Sequence, residues 1–130
     1  MLKKEDLVQF IGTTNYYRHP LCRSVAFTDG VHHLYTNGAA WLIDMVASHL
    51  QCHINLTEKS DGMVFSTFTR QGEGGRLEAR ADIGKPILFE QEVDFTDLPY
   101  DIQEIWAQFG YLDYIDNGKG IWIMMLPSEY

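Results

Sequence analysis

Hydrophobic spacing along the chain changes from helical to alternating and back. Leu7, Phe10 and Ile11 fall at i, i+3 and i+4, and Gly12 stands where a helix end favours a left-handed residue, so a short helix is expected over Lys3–Ile11. Asn15 and Pro20 punctuate Thr13–Arg23, which reads as an ordered loop or short strand. Thr28-Asp29-Gly30 starts a turn of helix that Asn37-Gly38 stops. A longer helix follows over Ala39–Leu50, with Leu42, Met45, Val46 and Leu50 on one face.

Alternation then takes over. Cys52, Ile54 and Leu56 alternate with His53, Asn55 and Thr57, predicting a strand with Cys52 facing the core and His53 the opposite side. Ser60-Asp61-Gly62 turns the chain into a strand at Met63–Thr69, and the glycine-rich Gln71–Gly75 separates it from alternating Leu77, Ala79, Ala81 and Ile83. Ile87, Phe89, Val93 and Phe95 form an apolar face opposite Glu90, Glu92 and Asp94. Four such strands make an antiparallel meander. Asp97 and Pro99 then read as the cap and first turn of a helix carrying Leu98, Ile102, Ile105, Trp106 and Phe109, ended by Gly110. Tyr111–Ile115, the turn Asp116-Asn117-Gly118 and Ile121–Leu126 read as a closing hairpin. The expected fold is therefore a single α+β domain over residues 1–130: an antiparallel sheet of a four-strand meander plus a C-terminal hairpin, with about three helices on one face.

Composition narrows the class. An apolar content of 45% argues for a packed globule, and no apolar run reaches the ~20 residues of a membrane helix. MLKKEDLVQF meets acids before any apolar stretch and does not read as a signal peptide. Cys22 and Cys52 are then expected as free thiols in a reducing cytoplasm. The net charge of −8 is unevenly spread: residues 1–81 balance eight acids with eight bases, whereas residues 82–130 hold ten acids against Lys85 and Lys119. That field opposes binding to nucleic-acid backbones and favours encounter with a basic protein partner.

Phe10-x-Gly12-Thr13-x-Asn15-Tyr16-Tyr17-Arg18-His19, Thr28-Asp29-Gly30-Val31 and Ala40-Trp41-Leu42-Ile43-Asp44, with Glu92–Asp97 and the closing Leu126–Tyr130, resemble a small bacterial domain family of unknown function. The resemblance implies one non-secreted bacterial domain, of a kind found in chromosomes and mobile elements, and no catalytic assignment.

Candidate chemistry concentrates between Phe10 and His53, which hold all five histidines and both cysteines. Cys22, His49, Cys52 and His53 are candidate metal ligands if the loop folds back on the second helix, but a zinc site calls for two tight clusters and only one is tight. Asp44 and Ser48 share a helix face that His49 does not, there is no Gly-x-Ser-x-Gly elbow, and Gly72-Glu73-Gly74-Gly75 lacks the Gly-Lys-Ser/Thr step of a phosphate loop. No catalytic residue and no cofactor are assigned. Tyr16, Tyr17, Arg18 and His19 combine rigid aromatics with a guanidinium, which serves either as a binding anchor or as the internal bracing of a loop. Glu90, Glu92 and Asp94 form a carboxylate row on a strand, spaced about 6.6–6.8 Å, to which a basic partner could bind. The leading functional expectation is a non-enzymatic protein-interaction or regulatory domain with an acidic C-terminal surface. The alternative is a metal-binding domain or metal-dependent enzyme using the Cys/His-rich N-terminal half.

Overall fold

The structure, a computed structural model, describes residues 12–13, 15–53, 55–82, 84–110 and 120–130. The expected helix at Lys3–Ile11 and the hairpin arm at Tyr111–Ile115 lie outside the described residues.

Among the described residues seven strands form one mixed sheet: β1 (Tyr17–Arg18), β2 (Val25–Phe27), β3 (Met63–Gln71), β4 (Gly74–Arg80), β5 (Ile87–Val93), β6 (Ile102–Gly110) and β7 (Ile121–Met125), in the order β1-β2-β7-β6-β3-β4-β5. All pairings are antiparallel except β2 with β7, which run parallel through Val25↔Trp122 and Phe27↔Met124. Between β2 and β3 run the single turns α1 (Asp29–Leu34) and α3 (Leu56–Ser60) and the one long helix, α2 (Ala40–Cys52). Asn37 and Gly38 leave helical dihedrals between α1 and α2, where the sequence signals a stop. None of the described helices is long and apolar enough to cross a membrane.

Leu42, Ile43, Val46, Ala47 and Leu50 of α2 are buried against one face of the sheet, which offers Val64, Phe68, Leu77, Ala79, Ile105 and Ala107. Trp41 meets Phe68 edge to face at 5.3 Å. The β3–β4 turn is a two-residue loop, Gly72-Glu73, and Gly72 at φ +63° supplies the positive dihedral such loops need. A Cβ on Gly75 would collide with the Phe68 ring and come within 2.7 Å of the Thr69 carbonyl, so that position must be bare for Phe68 to lie flat in the core. At the chain's far end a 3₁₀ turn, Pro127–Glu129, is tied to α1: the Glu129 carboxylate accepts from the Thr28 hydroxyl (2.6 Å), the Leu126 amide (2.9 Å) and the Gly30 amide (3.0 Å).

These observations correct the expected architecture. The sheet is mixed, not a four-strand antiparallel meander with an appended hairpin, and among the described residues the α-helical segments are one long helix with short ones beside it, all between β2 and β3. Residues 98–109 are not a helix: β6 runs through most of them, in the sheet's interior between β7 and β3. Ile102, Ile105, Trp106 and Phe109 fit helical spacing, but Gln103, Ile105 and Ala107 are buried while Glu104 and Gln108 are exposed. That is alternation, and pairing on both sides with β3 and β7 decides it. The expected strand at Cys52–Thr57 is also absent. α2 runs on to Cys52, Asn55 turns left-handed at φ 60°, and α3 begins at Leu56. Cys52 is consequently exposed rather than core-facing. The parallel pairing joins strands at opposite ends of the chain, so no βαβ pattern announces it.

Candidate functional site

The Tyr16–His19 segment is braced from inside. On β1, Tyr17 stacks on His32 at 4.0 Å between centroids and donates to Asp29 Oδ1 at 3.0 Å; that hydrogen bond, then desolvation, pushes its phenol above the ordinary range. Asp29 in turn donates its amide to Thr13 Oγ1 at 2.9 Å. His19 is 1% exposed. Its Nδ1 accepts from the amides of Leu21 (3.1 Å) and Cys22 (2.9 Å), so the ring proton sits on Nε2 and is donated to Asp44 at 2.7 Å. Both ring nitrogens are thereby engaged within the fold. Arg18 is half-buried opposite Ala26. Tyr16 lines a cleft of about 300 Å³ with Thr28, Glu129 and Tyr130.

The candidate metal ligands differ in burial, Cys22 being buried and Cys52 exposed. Cys22 is buried beside Asp44 and Ser48, and burial, with Asp44 next, pushes its thiol up, away from the reactive thiolate. His49 and His53 lie one helical turn apart at the end of α2, with Nδ1 of His49 3.0 Å from Nε2 of His53. Nε2 of His49 faces Gln91 Oε1 at 2.8 Å, and both rings lie nearly parallel to Phe89, at 4.6 and 5.3 Å. Burial, then the neighbouring His49 and Lys59, holds the His53 imidazole below its usual range. The imidazole centroids are 5.3 Å apart with planes 18° apart, as when two rings meet edge to edge along a hydrogen bond. Among the described residues no group of three or more His, Cys, Asp and Glu side chains is placed to hold a metal ion.

Glu90 and Glu92 do leave the same face of β5, but they are not a bare carboxylate row. Arg76 of β4 reaches Glu90 at 2.6 Å, Glu92 at 2.9 Å and Glu78 at 3.4 Å, and the hydrogen bonds to Glu78 first and then to Glu90 raise its guanidinium pKa. Asp94 lies just past the end of β5, exposed and off the ladder.

The same face extends across β3, β4 and β6 and was not legible as one surface. Strand register sets its rows. One row runs Met125, Trp106, Phe65, Arg80 across β7, β6, β3 and β4; the next runs Glu104, Thr67, Glu78, Glu90. On β2 and β7 this side is buried at Ala26, Ile121 and Met125 and half-buried at Ile123, and its more open area spans β3 to β6. It contains a cleft of about 660 Å³ whose walls include Phe65, Arg80, Glu104, Trp106 and Tyr130. Phe65 and Trp106 meet at 4.9 Å with planes 82° apart, and Trp106 and Tyr130 at 5.7 Å and 69°. The alternation of Glu104, Trp106 and Gln108 against Ile105 and Ala107 is the signal in the sequence, and the helical spacing of Ile102, Ile105, Trp106 and Phe109 masks it.

A model of a family of unknown function, DUF6876, matches residues 1–130. No curated protein and no solved structure matches the chain.

Proposed function

Since the chain belongs to that family of unknown function, we propose from geometry alone a non-enzymatic protein-interaction domain whose open sheet face docks a basic partner segment. The carrying observation is that, among the described residues, one face of the sheet is covered while the other stays open across β3 to β6. α2 closes one face, while the other presents half-buried aromatics beside Glu78, Glu90, Glu92 and Glu104, against Arg76 and Arg80. Rigid aromatics inside a polar rim are the usual make-up of an interaction hot spot. The excess of carboxylates selects for positive charge. In the N-terminal half both His19 nitrogens make internal hydrogen bonds and burial pushes the Cys22 thiol up, which supports a bracing role for these side chains. In this reading the compartment is the cytoplasm, which suits two free thiols.

The test is association kinetics with a basic partner. The rate should fall as salt rises, because the screening length shrinks from about 10 Å at 0.1 M to about 3 Å at 1 M. Replacing Glu90, Glu92 and Asp94 by Gln, Gln and Asn should slow association further than their number suggests, since Arg76 loses two of its counter-charges and itself repels the partner. A partner whose association ignores both salt and these substitutions would remove the open face from consideration.

A further inference from the structure

We propose that Phe65, Trp106 and Tyr130 form an open-sided aromatic cage for the ammonium group of a lysine side chain in the partner, with Glu104 as its counter-charge. The inference rests on the docking reading above and names the chemical group that it takes.

Phe65 and Trp106 are cross-strand partners on the open face, and Tyr130 approaches Trp106 from the end of the 3₁₀ turn. The two steep interplanar angles, 82° and 69°, make these rings adjoining walls rather than a stack. A cation set between such walls meets more than one π surface. A planar guanidinium prefers to lie flat between parallel faces, whereas a compact ammonium suits a corner. Glu104 is two residues before Trp106 on the same face of β6, about 6.8 Å along the strand. Arg76 and Arg80 engage Glu78, Glu90 and Glu92, but no cation among the described residues forms an ion pair with Glu104. At 68% exposure Tyr130 stands open to solvent, so the cage is reached without moving the core.

The experiment is a titration of the full chain, followed by the Trp106 indole N–H signal in NMR and by backbone amide shifts, with three decapeptides: lysine-rich, the same with every lysine Nε-acetylated, and the same with arginine in place of lysine. The lysine peptide should shift Trp106 and the amides around Glu104. The acetylated peptide, similar in shape but uncharged, should bind at least about tenfold more weakly, and arginine should bind several-fold more weakly. Tyr130→Leu, which leaves the core untouched, and Glu104→Gln should each weaken lysine binding by about three- to tenfold. Equal binding of the acetylated peptide, or indifference to Tyr130→Leu, overturns the cage. If shifts then still cluster at Glu78, Glu90 and Glu92, the docking face survives without the cage. If the lysine and arginine peptides leave the whole open face unperturbed at millimolar concentration, both readings fall.

Discussion

Along β3, Val64, Ser66 and Phe68 turn towards α2, while Met63, Phe65 and Thr67 turn away from it. The two sets share a backbone, a register and neighbours, yet they build opposite surfaces. The inward set meets Leu77, Ala79, Ile105 and Ala107 and is shut from water; the outward set meets Arg80, Glu78, Trp106 and Glu104. Burial of apolar area supports the fold on the first face. On the second, paired charges such as Arg76 with Glu90 and Glu92 contribute little stability, which leaves their identity free to serve recognition.

The largest test of that contrast is a pair of equal truncations on one strand. Phe68→Ala should cost about 3–5 kcal/mol, since it empties a fully buried site against Trp41 and Gly75. Phe65→Ala, on the open face, should cost only about 1–2 kcal/mol. Urea midpoints measure both, and equal losses would dissolve the distinction between the faces.

His19→Ala should come next, at about 2–3 kcal/mol, because it strands the Leu21 and Cys22 amides and removes the partner of Asp44. This is a stability effect, so lysine-peptide binding per folded molecule should be unchanged. A binding defect with intact stability would return the Tyr16–His19 loop to the list of binding sites.

A smaller effect appears in alkali. Burial pushes the Tyr100 phenol from 10.0 to about 12, and its hydroxyl donates to Gln103 at 2.6 Å. The unfolded chain then ionises this group first, so stability should fall as pH rises from 10 towards 12, and less so in Tyr100→Phe. Phenolate absorbance should show one tyrosine titrating last, and its loss in that variant identifies it. If the variant still shows the same last step and the same alkaline loss, Tyr100 does not sit where the covered side places it.

The smallest expected change is Glu90→Gln with Glu92→Gln, which should move the thermal midpoint by an amount equivalent to about 0.5 kcal/mol or less. A large loss would mean that the open face carries stability after all.

Short-range physics was readable directly from the chain. The strand at 63–69 and a return through Leu77 and Ala79 depend on alternation and on Gly72, and β3 and β4 cover these residues. The turn, however, is only Gly72-Glu73, β4 already starts at Gly74, and it ends at Arg80, before Ala81. The same holds for α2, whose apolar stripe runs along consecutive turns, and for the break at Asn37-Gly38. The face of Glu90 and Glu92 was legible too, though not Arg76 beside them, because a cross-strand neighbour depends on register. β6 was not legible: its residues satisfy helical and strand spacing alike, and only two flanking strands with unpaired backbone groups select the second. The parallel β2–β7 pairing and the Glu129 tie to Thr28 and Gly30 join residues about a hundred positions apart. The open cleft is likewise a property of assembly, since Phe65, Trp106 and Tyr130 come from three distant segments that no periodicity within any one of them connects. Sequence pattern reports which face of an element is apolar; which element covers that face, and which face stays open, is decided by contacts between residues far apart in the chain.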